Sequence, residues 1–178
     1  RLASDNFYKA EDLFAIRTMG FRGEALASIA SVAQVELKTR RKDDEIGTFI
    51  ELEGSSSKQE TISCPIGTSF TVKNLFFNIP ARRKFLKSNS TEFRHIIETF
   101  QRIALTYPDI QFSLMHNNSE HYQLPPTNKR QRISQIFGKK VNQQLLSIEA
   151  KTGLVNISGF VGNIDSASKS ASQFFFVN

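Results

Sequence analysis

Two periods of apolar residues alternate along this chain. Leu26, Ile29, Ala30 and Ala33 fall at helical spacing, so a helix packed on one side is expected after Gly23. The pattern then switches to a period of two, with Val35, Leu37 and Thr39 alternating with Glu36, Lys38 and Arg40. Phe49 to Glu53 and Glu60 to Ser63 read as the second and third strands, with turns at Arg40 to Glu45 and Gly54 to Lys58. The mixed charges of the first turn suit a solvated hairpin tip. A fourth strand puts Phe70 and Val72 on one side and Ser69, Thr71 and Lys73 on the other. Pro80 then opens a short helical run, Ala81 to Leu86. Arg82, Arg83 and Lys84 are unfavourable at a helix start unless acidic groups or a nucleic-acid backbone partner them.

Ser90 to Tyr107 carries the strongest helical pattern. Asn89 is its expected cap, with Glu92 three residues on. Phe93, Ile96, Ile97, Phe100, Ile103, Ala104 and Tyr107 trace one face, expected to pack on the preceding sheet. Pro108 and Asp109 end the helix and set the expected boundary between domains at residues 1–107 and 108–178. A hairpin around Asn117-Asn118-Ser119 follows, then a basic helix built on Ile133, Ile136 and Phe137 with Gly138 as its C-cap. Val155 to Gly162 and Phe174 to Val177 read as strands flanking a serine-rich loop, Ser166 to Ser172. Helices on one face of an antiparallel sheet make the chain α+β.

Composition narrows the picture modestly. A chain of 178 residues, 39% hydrophobic, suits one domain or two small ones. Its apolar runs are too short for a bilayer, and one cysteine, Cys64, excludes an internal disulfide. An intracellular, reducing compartment is the default. The net charge of +6 favours polyanionic partners without fixing a site. Arg130, Arg132, Lys139 and Lys140, on and after the basic helix, are the candidate phosphate-contacting surface for DNA; a solvated helix face is the alternative.

Two stretches carry candidate chemistry. Gly20-Phe21-Arg22-Gly23-Glu24-Ala25-Leu26 frames an aromatic and an arginine with glycines, and such a loop can turn N–H groups toward a phosphate. Arg22 can fork onto the same anion or pair with a carboxylate, and Glu24 suits a first helical turn. Alone, the pattern equally fits a strand-to-helix loop whose glycines serve close packing. In the second stretch, Gly67-Thr68 opens a strand, where a small hydroxyl can bond an adenine edge; it is also an ordinary way to begin a strand.

Taken together, GFRGEAL and GTSFTVKNLFFNIPARRKFL (from Gly67) closely resemble the MutL family of DNA mismatch-repair proteins, ATPases related to gyrase, Hsp90 and histidine kinases. The resemblance runs from about Lys9 to the chain end. It implies the C-terminal part of a Bergerat-type ATPase α/β sandwich, followed from about Pro108 by a ribosomal-S5-domain-2-like α/β unit. Gly20 to Leu26 would wrap the nucleotide phosphates as part of a lid, with Gly67 and Thr68 at the adenine side. The intact protein would use ATP and magnesium, hydrolysing ATP slowly as a switch for dimer closure on DNA. Implied partners are DNA without sequence preference, MutS and other repair factors, and a second copy, with no membrane. The location would be the cytoplasm and its nucleoid in a bacterium, or the nucleus in a eukaryote. The family's water-activating glutamate, magnesium-holding asparagine and adenine-reading aspartate have no match here, and Arg1 to Tyr8 departs from the family. The chain therefore reads as a fragment, expected to hold no cofactor and hydrolyse no ATP alone. A gyrase-like or Hsp90-like ATPase, or a basic nucleic-acid-binding module without nucleotide dependence, are the competing readings.

Overall fold

The structure is a computed structural model that describes residues 24–166 and 173–177. Its contacts divide the chain into two units, Arg1–Leu86 and Lys87–Asn178.

In the first unit, α1 (Ala25–Ala30) leads into β1 (Gln34–Arg40), β2 (Gly47–Glu53), β3 (Ser56–Ile62) and β4 (Gly67–Lys73), and α2 (Pro80–Lys84) follows. The expected helix stops at Ala30, and the buried Ala33 lies in the turn before β1. The strands form one antiparallel sheet in the order β3-β2-β1-β4, so β4 returns beside β1 where a simple meander would have left it at β3. Register sets two faces, because directly paired residues share a side. Val35 pairs Leu52 and Val72, and Leu37 pairs Ile50 and Phe70, giving one apolar face. Glu36, Glu51 and Thr71 mark the polar one, where Lys73 and Glu36 form an ion pair. The third strand begins four residues earlier than expected, since Gly54, at φ +56°, turns the chain within Gly54-Ser55. Gly47 is buried against Cys64 and the Thr39 carbonyl, and any Cβ there would clash with both.

The second unit starts with α3 (Asn89–Thr106). Its cap is Ser88, one residue ahead of the expected Asn89; the hydroxyl accepts from the Thr91 N–H at 3.4 Å, while Glu92 accepts from the Lys87 N–H at 2.8 Å. Then come the hairpin β5 (Phe112–His116) and β6 (Ser119–Leu124), turned by Asn117 and Asn118 at φ +49° and +64°. After them lie α4 (Lys129–Phe137), α5 (Lys139–Gln144) and the hairpin β7 (Leu145–Lys151) and β8 (Asn156–Gly162). Residues 173–177 form no strand, although Phe174 packs its ring on Phe137 at 5.7 Å. The serine-rich loop lies outside the described residues from 167 to 172.

The contact division falls at Leu86/Lys87, ahead of the long helix, while the expected domain boundary lies after Tyr107. The reason is what covers α3. Ala104, Leu124 and Ile136 form a buried cluster with Phe100, Phe112, Tyr122 and Phe137 around it. Phe100 stacks on Tyr122 at 5.4 Å and meets Phe112 edge-on at 6.0 Å. The chain breaks after Thr106, and β5–β6 folds straight back onto the helix face that the sequence reading assigned to the preceding sheet.

Candidate nucleotide and phosphate sites

The glycine-framed loop falls at the edge of what the structure describes. Gly20, Phe21, Arg22 and Gly23 lie outside the described residues. Glu24 precedes α1, with its carbonyl accepting the Ser28 N–H at 2.9 Å, and Ala25 and Leu26 form the first helical residues.

The second stretch is fully described. Gly67 sits at φ +121°, a backbone region that side chains resist, at the point where β4 begins opposite Arg40. Thr68 follows at the exposed end of the apolar face, its hydroxyl 2.8 Å from that of the register partner Thr39. A hydroxyl both donates and accepts, so this pair keeps capacity for a further polar partner. Past β4 the chain bends sharply, with Asn74 at φ +52° and Phe76 at φ +63°. A phenylalanine in the left-handed region is uncommon. The bend is pinned to the exit of α1: the Phe76 N–H donates to the Val32 carbonyl at 2.7 Å, and Asn78 Nδ2 donates to the Ser31 carbonyl at 2.9 Å. The structure thus joins the helix that continues the first motif to the turn inside the second.

Pro80 occupies the first helical positions of α2, as the sequence suggested. The helix has only 5 residues, so Arg82, Arg83 and Lys84 stand in its last turn, where the dipole favours cations. Arg82 also lies over the Phe76 ring at 5.9 Å. The expected electrostatic penalty is absent because the helix ends so soon.

The candidate phosphate surface separates into three environments. Arg132 is 0% exposed, and its Nη2 points among the carbonyls of Pro108, Ile110 and Pro125 at 2.7, 2.8 and 3.1 Å. Its guanidinium also lies over Phe112 at 5.5 Å. Burial pulls its pKa down from the ordinary arginine value, and nearby Asp109 partly counters that. Arg130 is half-buried; it donates through Nε to Asn142 Oδ1 at 2.9 Å and through Nη2 to the Asn142 and Leu145 carbonyls at 2.8 and 3.2 Å. Lys139 and Lys140 are exposed in the first turn of α5. The first two are therefore internal braces and correct the surface reading. The clue was in the spacing: Arg132 lies four residues before Ile136 and so shares its inward stripe. The sequence reading also missed Asn78, whose short polar side chain after a strand gave little sign of a distant carbonyl partner.

Among the described residues, no group of three or more His, Cys, Asp or Glu could hold a metal ion. No described helix is long and apolar enough to cross a membrane.

No family model matches the chain. The fold defines its class through solved structures. It is similar to an Aquifex aeolicus MutL ATPase domain complexed with ADP, at TM-score 0.65 and 32% identity over 80% of this chain and 55% of that one. A second Aquifex aeolicus structure, the ATPase domain of a mismatch-repair endonuclease MutL, gives TM-score 0.64 and 28% identity over 93% of this chain and 58% of that one. Curated relatives carry the match end to end. The chain is 58% identical to a DNA mismatch repair protein MutL of Bacteroides fragilis and 55% identical to that of Christiangramia forsetii, over 100% of its length in each case. It spans 29% of the length of each of these relatives. The chain belongs to the MutL family and corresponds to part of its ATPase region.

Proposed function

We propose that this chain is the part of a MutL-type ATPase that supplies the phosphate-side loop and one wall of the adenine pocket. The observation that carries the reading is its likeness to a MutL ATPase domain complexed with ADP, at 32% identity. Gly20 to Leu26 wraps the phosphates, and Gly67 and Thr68 lie at the adenine side. The Thr68 hydroxyl, exposed and already oriented by Thr39, fits a contact with a nucleobase edge or an ordered water. The magnesium-holding asparagine of the family has no match in this chain, so no magnesium ligand is assigned here. There, residues 1–107 are part of the ATPase domain, and the chain from about Pro108 belongs to an S5-like second domain.

In the intact protein, slow ATP hydrolysis switches two copies between open and closed arms around DNA, with MutS and other repair factors as partners. In a bacterium that work is done at the nucleoid. Lys139 and Lys140 remain from the candidate phosphate surface, and contacts from them would add affinity without sequence preference.

Isothermal titration of the full-length protein with ADP or a non-hydrolysable ATP analogue tests the nucleotide reading. Gly23→Val forces a branched side chain into the loop and is expected to weaken binding at least tenfold, and unchanged affinity would remove the lid assignment. The competing reading, a basic module without nucleotide dependence, requires salt-sensitive DNA binding that the analogue leaves unaltered.

A further inference from the structure

We infer that Asn78 is a positioning residue for the nucleotide pocket: together with the Phe76 amide it fixes the exit of α1, and through it the helix that starts at Glu24-Ala25-Leu26. This rests on the nucleotide reading above. Asn78 Nδ2 donates to the carbonyl of Ser31, the C-cap of α1, at 2.9 Å. The Phe76 N–H donates to the next carbonyl, Val32, at 2.7 Å. Two bonds on adjacent carbonyls set direction as well as position.

The bend that delivers these donors holds Asn74 and Phe76 at positive φ. Such conformations persist only where the surroundings over-determine them. A helix of 6 residues is far too short to hold its place by itself, so its anchors decide where its first turn lies. At about 1.5 Å rise per residue the whole helix spans roughly 9 Å, and a shift at its exit reappears at its start. The other end of the joint is β4, which begins at Gly67-Thr68 and runs into the same bend. The bend therefore sets the phosphate-side helix against the adenine-side threonine while touching no nucleotide itself.

The test uses the full-length protein, a non-hydrolysable ATP analogue with magnesium, and backbone amide exchange. Asn78→Asp keeps the side chain's shape and replaces its donor with a carboxylate. Affinity should fall roughly two- to tenfold, the range that one hydrogen bond supplies. Without nucleotide, the Ser28 and Ser31 amides should exchange faster while those of β1 and β2 stay protected. Gly23→Val is measured alongside. If Gly23→Val weakens binding and Asn78→Asp does not, the positioning role is overturned and the nucleotide reading stands. If neither weakens binding, both fall. Loss of protection in β1 and β2 in Asn78→Asp would make Asn78 a plain structural residue of the sheet and would also overturn the inference.

Discussion

On α2, Arg82, Arg83 and Lys84 stand outward in the last turn of the helix, and Phe85 beside them is 80% exposed. On α4, Arg130 and Arg132 turn inward and tie loop and helix-end carbonyls together. As sequence, both are short basic runs beside apolar residues. What separates them is register. In α4 the arginines lie on rows leading to Ser134, Ile136 and Phe137, and a helix of 9 residues is long enough to bury one stripe. In α2 the helix ends before any stripe forms. A basic run is thus read by its phase against the apolar positions more than by its charge.

The sharpest way to break this comparison is Arg132→Met. Methionine keeps most of the stem and leaves the Pro108, Ile110 and Pro125 carbonyls without their shared donor. Unfolding by denaturant should show a loss of about 3–5 kcal/mol, from three part-buried carbonyls that lose their shared donor and from the contacts of a fully buried side chain. A loss below about 1 kcal/mol would mean that the brace contributes nothing and that the arginine is incidental. Arg130→Ala should cost less, about 1–2 kcal/mol, because its side chain is half-buried where that of Arg132 is fully buried. Charge reversal at Arg132 would unfold the unit before it could report on DNA.

The counterpart on α2 is a double change, Arg83→Ala with Lys84→Ala. Neither side chain is buried, so stability should move by less than about 0.5 kcal/mol. A larger loss in the same denaturant measurement would show that the two helices differ less than their burial suggests.

The same distinction explains what the sequence revealed and what it withheld. Strong periodicity found α3, α4 and the strands β1, β2 and β4, because a single face of each is apolar; β3, with Ile62 as its one apolar residue, was caught at its end alone. The MutL likeness was legible because two long motifs, GFRGEAL and GTSFTVKNLFFNIPARRKFL, closely resemble those of the family. The partner of α3 was not legible: an apolar face states that something covers it and leaves open which neighbour does so. Only the fold-back of Phe112 and Tyr122 decided that. The strand β7 was missed although Leu146, Ile148 and Ala150 alternate with Ser147, Glu149 and Lys151, and its pairing with β8 comes from the hairpin. The pinned bend after β4 was equally silent, as positive φ at Phe76 contradicts local preference and is imposed by tertiary bonds.

A third arginine extends the comparison to full exposure. At the tip between β1 and β2, Arg41 holds Asp44 with Nε to Oδ2 at 2.9 Å and Nη2 to Oδ1 at 3.0 Å. Hydrogen bonding to Arg41 lowers the Asp44 pKa below its ordinary value, and the same contact raises that of Arg41. A carboxyl with a depressed folded pKa adds stability above its unfolded pKa, near 3.9, and loses it as pH falls through the lower folded value. Any contribution of the pair should therefore be lost only in acid, with no change between about pH 5 and 8. Solvent screens so exposed a bond, so Arg41→Ala should leave global unfolding at neutral pH unaltered. A carboxyl titration followed by NMR should nevertheless show Asp44 moving up toward its ordinary value in that variant. An Asp44 midpoint indifferent to Arg41 would remove the bidentate pair, and with it the outermost point on the scale from buried brace to solvated charge.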